Sequence, residues 1–445
     1  MQRGPSRLVG CGLLLTVALL TGRSIAAGGA DTTGGVNWDE AMRLRSMLKD
    51  AYNTVRTYYD DPNFQGLDWT NRYQQFQTRL TSATSFSNGL GVIAAFLDGL
   101  GDSHTNFQPP PWASTVDYGY DVGMIGNDPF ILRMRPGTDA ATKLRAGDRI
   151  VSLNGNDVTR ESFGRMQYVL TRLAPLVGTD VVVETASGEI RSECVMARVT
   201  NTQARRVVGG PGTALQLSDL TREWDAAKWP TRQRSIELGS VMIWKMPSFF
   251  AEVMEIDRLI ARARQHDTLI LDLRGNPGGL LEVLQRLVGS VFQDLSIIGT
   301  QVSRTGTSLL TARSRGKNAF SGNIIVLVDS GSGSSAELFA RVIQLDERGI
   351  VLGDQTAGVV REGRLFSFAQ GDRVLLPYAV AVTNADILMK NGESLEHRGV
   401  TPDELILPTQ DDLAAGRDPV LARALELAGQ RITPADAAHL IADKR

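Results

Sequence analysis

Cysteine, histidine and an excess of either charge are all scarce in this chain. Its 445 residues include two cysteines and four histidines, and the formal net charge is −2. A nearly balanced charge gives no electrostatic reason to expect nucleic acid as a partner. With so few cysteines and histidines, no cluster has the spacing of metal ligands. We therefore expect no metal, no cofactor and no nucleic acid, and chemistry that uses ordinary side chains.

Long hydrophobic runs are also few, and one of them lies at the N-terminus. Two arginines precede the apolar run Leu8–Leu20, and the small-residue stretch 24–27 follows it. This order is typical of a signal peptide, and the run is too short for a transmembrane helix. We predict a signal peptide over residues 1–27, a linker over 28–36, and a secreted or periplasmic protein without a transmembrane anchor after cleavage. Cys11 lies at the start of the run, so we do not interpret it as a lipoprotein site.

The remaining composition, 42% hydrophobic and 22% charged, is that of a globular chain long enough for two or three domains. Residues 37–108 have helical periodicity and predict an N-terminal helical domain. Residues 205–411 alternate β-rich runs with helical patterns, which is typical of an α/β core. Residues 412–445 read as an amphipathic helical tail.

Residues 118–203 differ from both neighbours, because short β-type runs there alternate with turn signals. One stretch has the order L-x-x-G-D-x-I-x-x-L-N-G, from Leu144 to Gly155. A generic hairpin explains its two turns but not the whole ordered block, which resembles the block that recurs in PDZ domains. The resemblance implies a PDZ-like domain that recognises C-termini, with Asp121–Met124 as the candidate carboxylate-binding loop.

Residues 323–342 join an apolar β-rich run, a turn made only of Asp, Ser and Gly, and a helical pattern. A serine in that turn would lie at a helix N-terminus, where free N–H groups and the helix dipole favour negative charge. Serine is equally common there as an ordinary turn or N-cap residue. Partner motifs elsewhere must decide between these two interpretations.

Four motifs in order resemble those of the carboxy-terminal processing (tail-specific) and tricorn-like serine peptidases. They are G-D-S-H-T at 101–105, D-L-R-G-N-P-G-G at 272–279, S-S-A-E at 334–337 and E-H-R-G-V-T-P-D at 396–403. The resemblance covers nearly the whole mature chain. It implies a multidomain α+β fold: a helical cap, a PDZ-like β-rich domain, and an α/β protease core similar to the ClpP/crotonase-like fold. It also implies a serine-type peptidase that acts on protein or peptide chains.

In these peptidases the nucleophile is the serine three residues before the acidic residue of the following helix. The matching serine is Ser334, with Glu337 as the landmark. The D-L-R-G-N-P-G-G motif ends in a Gly-rich turn, residues 275–279. The resemblance implies that the oxyanion is bound by the N–H of Ser335 and by a glycine of this Gly-rich turn. Gly278 is the favoured donor there, followed by Gly279.

A lysine is missing where the lysine-dependent branch of the family has its general base. That lysine follows a G-x-x-T-x-G motif, and Val359 occupies its position here. No lysine lies between Lys317 and Lys390. A Ser–Lys dyad is therefore not the expected mechanism.

The tricorn-like branch uses a histidine from an upstream Ser-His pair, supported by a later glutamate. Carried over, the general base is His104, and Glu396 orients its imidazole through Ser103. His397 adjoins Glu396 and is the substitute base that we rank second. His266 and His439 lie in no such context.

Two other classes of function stay open at this point. One is a non-catalytic ligand-binding protein that shares the core, and the other is a PDZ scaffold with an inactive protease core. Retention of Ser334, His104, Glu396 and the Gly-rich turn favours the peptidase over both.

Overall fold

The computed structural model describes residues 35–112, 114–201, 232–371 and 375–441. The predicted signal peptide and nearly all of the predicted linker lie outside these residues. The chain divides into a smaller unit, Pro111–Arg205 with Thr409–Gly416, and a larger unit, Gly34–Pro110 with Arg206–Pro408 and Arg417–Arg445. None of the helices in the described residues is long and apolar enough to cross a membrane.

Three helices and a short strand open the larger unit: α1 (Trp38–Tyr58), α2 (Trp69–Thr81), α3 (Phe86–Asp98) and β1 (Asn106–Gln108). Each helix follows a residue whose side chain accepts a backbone N–H of the first turn: Asn37, Asp68 and Ser85. The connection between α3 and β1 carries His104, so this helical region supplies one of the predicted site residues.

The smaller unit is mainly antiparallel β structure. Its elements are β2 (Ser114–Asp117), β3 (Tyr120–Ile125), β4 (Asp128–Met134), α4 (Ala140–Lys143), β5 (Arg149–Leu153), α5 (Arg160–Tyr168), β6 (Gly178–Glu184), β7 (Ile190–Met196) and β8 (Arg198–Asn201). One sheet has the order β3-β4-β5-β6-β7, and β2 pairs with β8. Asn154 and Gly155 both have positive φ, which explains the Asn-Gly turn after β5.

A six-stranded, mostly parallel sheet forms the centre of the larger unit. Its strands are β9 (Arg234–Leu238), β10 (Val241–Lys245), β11 (Thr268–Asp272), β14 (Asn323–Val328), β15 (Ile350–Gly353) and β18 (Glu404–Leu405). Their spatial order is β18-β15-β14-β11-β10-β9, and only β9 and β10 run antiparallel. Because both faces are covered, the strands read as nearly continuous hydrophobic runs.

Helices cover both faces of this sheet, and alternate residues of each strand point to opposite sides. One face packs against α6 (Val253–Ala263), α7 (Leu281–Gly289) and α8 (Ser335–Leu345). The other face packs against α10 (Pro419–Leu427) and α11 (Pro434–Ile441). In β14, for example, Val326 belongs to the first core and Ile325 to the second.

A second, antiparallel sheet completes the larger unit. It contains β1, β12 (Ser296–Ser303), β13 (Gly306–Ala312), β16 (Glu362–Gln370) and β17 (Leu376–Met389). The pairing of β1 with β17 connects the N-terminal helices to residues close to the C-terminal motifs. This pairing fixes the segment that carries His104.

The predicted domain boundaries remain predictions, and two of the predicted segments are grouped differently in the compact units of the structure. The predicted helical domain 37–108 belongs to the same compact unit as the sheet. The predicted tail 412–445 is divided: α9 (Gln410–Ala414) lies in the smaller unit, whereas α10 and α11 cover the sheet of the larger one. Buried apolar residues on these last two helices, such as Leu421 and Leu425, explain their packing.

Candidate active site

Ser334 lies in a strained backbone conformation immediately before α8. Its φ is 52° and its ψ is −119°, a region that costs free energy for a residue other than glycine. Ser335 begins the helix, so Ser334 lies at the helix N-terminus that the sequence predicts. The neighbouring Ser332 has a structural role instead: it is fully buried and its hydroxyl donates to the carbonyl of Leu273 at 2.9 Å.

Glu337 fixes this turn from inside the protein. Its fully buried carboxylate accepts the N–H of Ser334 at 2.9 Å and the hydroxyl of Thr356 at 2.6 Å. It also accepts the N–H groups of Gly358 at 2.7 Å and Val359 at 2.9 Å. Burial raises the pKa of Glu337, against the opposing effect of these four hydrogen bonds. Glu337, the acidic residue of the S-S-A-E motif, therefore fixes the turn that carries Ser334 (the nucleophile turn, named for the predicted role of Ser334).

The Gly-rich turn lies directly against Ser334. Added to Gly278, a methyl group would lie 2.6 Å from Ser334 Cβ and 2.9 Å from Ser335 N. The turn is organised by the buried Asn276, whose carbonyl accepts Gly333 N–H at 2.8 Å and whose side-chain Oδ1 accepts Gly278 N–H at 2.9 Å.

The hydrogen bond from Gly278 N–H to Asn276 Oδ1 bears on which glycine N–H is available to bind an oxyanion. Gly278 N–H is engaged with Asn276, whereas within the described residues the N–H groups of Gly279 and Ser335 donate to no protein acceptor. The Ser335 hydroxyl also donates to the carbonyl of Gly279 at 3.0 Å, which holds these two residues together. Of the two glycines, Gly279 is the one whose N–H is available, and the assignment of either glycine as an oxyanion donor stays a prediction.

His104 makes its ring hydrogen bond to the preceding residue. Ser103 Oγ and His104 Nδ1 are 2.7 Å apart, which leaves Nε2 for a reacting group. Burial lowers the pKa of His104; the charges of Glu396 and Asp102 act in the opposite direction, and that of Arg361 adds to the lowering. A neutral imidazole at neutral pH is the form that a general base requires.

Glu396 reaches this pair through the backbone. Its Oε1 accepts the N–H of Ser103 at 3.0 Å and not the Ser103 hydroxyl. The connection from Glu396 to His104 therefore runs through the backbone of Ser103. His397 Nε2 lies 3.8 Å from the same oxygen, but the His397 side chain is 65% exposed. A largely solvated ring is the less suitable base.

One short loop connects Glu337, beside Ser334, with Glu396, beside Ser103. Gly358 and Val359 donate their N–H groups to Glu337, and the next residue, Val360, donates to Glu396 at 2.9 Å. Added to Gly333, a methyl group would lie 2.9 Å from Val359 Cγ2, so Val359 packs beside the nucleophile turn. The position of the missing lysine thus lies next to the nucleophile turn but carries an aliphatic side chain.

All the predicted site residues lie in the larger unit, in two hydrogen-bonded groups. Ser334, Ser335 and the Gly-rich turn form one, and Ser103, His104 and Glu396 form the other. Among the described residues, the His104 ring bonds only to Ser103, so no hydrogen bond joins it to Ser334.

Comparison with known proteins is consistent with this arrangement. Residues 238–406 match the profile of peptidase family S41. The chain carries an S41 peptidase domain. The domain spans both Ser334 and Glu396, but His104 lies before it. By this relationship the chain is a serine-type peptidase.

Individual relatives extend the similarity beyond the S41 domain. The chain is 24% identical over 383 residues to carboxyl-terminal-processing peptidase 3 of Arabidopsis thaliana, which covers 82% of this chain and 69% of that one. It is 24% identical over 411 residues to a tricorn protease homologue of Streptomyces coelicolor, covering 88% of this chain and 32% of that one. Mature CPAF has a similar fold, with a TM-score of 0.62, 14% identity, and coverage of 84% and 94% of the two chains.

Ion pairs made by the D-L-R part of the motif support the Gly-rich turn. Arg274 donates to both oxygens of Asp418 at 2.9 Å, and Asp418 caps α10. Burial alone would raise the pKa of Asp272, but the charges of Arg274 and Lys245 hold it below its usual range. The D-L-R part of the motif therefore forms an ion network, around the fully buried Asp272, that connects the Gly-rich turn to the C-terminal helices.

Sequence reasoning missed Asn276 and Asp102, although both stand inside the quoted motifs. Two of the Asn276 contacts, with Met246 and Gly333, join segments far apart in the chain, so no local pattern indicates them. Asp102 has a local signal, since an aspartate often accepts the backbone N–H two residues later. No group of three or more His, Cys, Asp or Glu side chains that could hold a metal occurs in the part of the chain that the structure describes.

Proposed function

We propose that this chain hydrolyses peptide bonds of protein or peptide substrates through an acyl-enzyme on Ser334, with His104 as general base. The observation that carries the proposal is the loop 358–361, whose successive N–H groups bind Glu337 on the nucleophile side and Glu396 on the base side. Because the same loop binds both carboxylates, it fixes the position of Ser334 relative to His104. Catalysis by proximity requires reacting groups held in such a fixed geometry.

The steps follow serine acyl transfer. Ser334 Oγ attacks the scissile carbonyl carbon while His104 Nε2 takes its proton. The N–H groups of Ser335 and Gly279 stabilise the oxyanion, aided by the N-terminus of α8. His104 then gives the proton to the leaving amine, and a water molecule, activated by the same imidazole, hydrolyses the ester and restores Ser334. Ser103 Oγ orients the ring, and Glu396 fixes Ser103.

Labelling with a fluorophosphonate probe tests this function. We expect the wild-type protein to be labelled and Ser334→Ala to remain unlabelled, because only an activated serine attacks the probe. Ser332→Ala is not a suitable control because its hydroxyl is buried and structural, so Ser330→Ala is used instead. Absence of labelling in correctly folded wild-type protein would favour the binding-protein or scaffold alternatives.

We also propose that the smaller unit is a PDZ-like module that recognises C-terminal peptides. The predicted carboxylate-binding residues Asp121–Met124 lie within β3, in antiparallel pairing with β4, and not in a loop. Just before β3, the Asp117 side chain accepts the N–H of Gly119. Because β3 is at one edge of its sheet, an extended peptide can add to it as a further strand.

A free peptide with the C-terminal sequence of a protein substrate tests this role. It should compete for cleavage of the long substrate without reducing probe labelling of Ser334, because it occupies β3 and not the nucleophile. The same peptide with an amidated C-terminus is the matched control and should compete poorly. Equal competition by both forms would exclude carboxylate recognition.

We further infer export of the chain from the predicted signal peptide at 1–27. The motivating pattern is the short apolar run followed by small residues. N-terminal sequencing of the extracytoplasmic protein should give a start near Ala27 or Gly28, and material that still begins at Met1 would contradict the inference.

A further inference from the structure

Asp102 organises the backbone on which His104 is carried. Its Oδ1 accepts the N–H of His104 at 3.0 Å and that of Thr105 at 2.6 Å. The hydroxyl of Thr383, on β17, donates to the same oxygen at 2.6 Å. Three donors on one oxygen fix the turn between α3 and β1. This function alone needs only an acceptor, which a neutral asparagine would also supply.

The other oxygen of Asp102 does not serve the turn. The Asp102 carboxylate also interacts with the buried hydroxyl of Tyr59, both through its charge and through a side-chain hydrogen bond. Burial, followed by the negative charge of Asp102, raises the pKa of that hydroxyl, so it stays protonated. The Asp102 carboxylate therefore has a second contact besides the turn, at Tyr59.

The charges around His104 are of both signs. Burial lowers the pKa of His104, the negative charges of Glu396 and Asp102 raise it, and the positive charge of Arg361 lowers it further. Arg361 is itself largely buried, with its side chain 15% exposed and Nη1 3.8 Å from Asp60 Oδ2. Its Nε and Nη1 make no hydrogen bond within the described residues, so it acts mainly through its charge.

We propose that Asp102 is a positioning residue for the general base: it fixes the His104 backbone and supplies a second negative charge that stabilises the imidazolium formed during acyl transfer. Arg361 opposes it, so that the ring is still released from its proton at neutral pH. This inference rests on the proposed role of His104 as base. It assigns Asp102 and Arg361 opposite effects on one titration.

The test measures the titration of His104 directly by NMR of its ring protons, in a Ser334→Ala background, so that the readout does not depend on activity. Asp102→Asn keeps an acceptor for the two backbone N–H groups and removes the charge. We expect it to lower the midpoint by roughly 0.5–1 pH unit. Arg361→Gln keeps the backbone bond to Glu396 and should raise the midpoint by a similar amount. Asp346→Asn, which removes a carboxylate paired with Lys390 elsewhere in the unit, is the control and should leave the midpoint unchanged.

In the active protein the same two substitutions should move the acid limb of probe labelling in the same opposite directions. Asp102→Asn should also slow the plateau rate by about ten-fold, because a weaker base transfers the proton less readily. A midpoint that neither substitution moves, in variants that unfold at the wild-type temperature, would overturn the inference and reduce Asp102 to a turn cap. Absence of labelling in the wild type would instead contradict the proposed function itself.

Discussion

Replacing His104 by alanine is expected to reduce kcat/KM by about a hundred-fold to ten-thousand-fold, the usual cost of losing a general base. The reason is local: Ser103 fixes the ring through Nδ1, and no lysine replaces it, since Val359 stands at the lysine position. Peptide cleavage assays of purified His104→Ala and Ser334→Ala measure the effect. His397→Ala is the control and should retain activity, because the His397 ring is largely solvated.

The pH dependence of kcat/KM is a second test of His104 as the general base. Burial lowers the pKa of His104, so the fraction of neutral imidazole is already high below its ordinary pKa of about 6.5. The acid limb of kcat/KM in the wild type should therefore have its midpoint below about pH 6.5. Near-wild-type turnover by His104→Ala on a peptide that Ser334→Ala does not cleave would refute the assignment, and His397 would be tested next.

Gly278→Ala is expected to reduce kcat/KM by at least about a hundred-fold, because a displacement near 1 Å at a reacting centre has an effect of that size. The added methyl group would lie 2.6 Å from Ser334 Cβ, 2.8 Å from Gly333 O and 2.9 Å from Ser335 N. All three atoms belong to the nucleophile turn, and a φ of +94° disfavours any side chain there. Kinetics with peptide substrate and probe labelling measure the loss.

Gly275→Ala is the matched control for that substitution. Gly275 belongs to the same turn and also has a positive φ of +67°, but no atom lies within 4 Å of the added methyl group. It therefore carries the backbone strain, about 1 kcal/mol of lost stability, without the collision. If both variants lost activity equally, strain in the turn and not contact with Ser334 would be the cause.

Much of the candidate site could be predicted because its residues lie in short motifs with a local physical meaning. The Ser-Gly turn between an apolar strand and a helix predicts Ser334 at a helix N-terminus, and the structure has it there. The alternation of β-rich runs with helical patterns predicts an α/β core, and β10, β11 and β14 are strands of the central sheet. The absence of lysine between Lys317 and Lys390 is a property of the sequence alone.

Other features depend on contacts between segments that are far apart in the chain. The engagement of Gly278 N–H by Asn276 leaves Gly279 with the available N–H, and no local pattern indicates it. The bond from Ser103 N–H to Glu396 spans 293 positions. The role of the C-terminal helices as a cover for the sheet, rather than a tail, likewise required the packing of Leu421 and Leu425 against it.

The sequence by itself therefore determined which side chains are available: a serine at a helix N-terminus, a Ser-His pair, a late glutamate and no lysine. Only the tertiary structure decided how they work together, through Glu337 and Glu396 binding successive N–H groups of the loop 358–361. The physical reason is that backbone N–H groups are present at every residue except proline and carry no sequence signal. Which of them remain free to stabilise an oxyanion, and which are used to fix a carboxylate, is set by the folded chain alone.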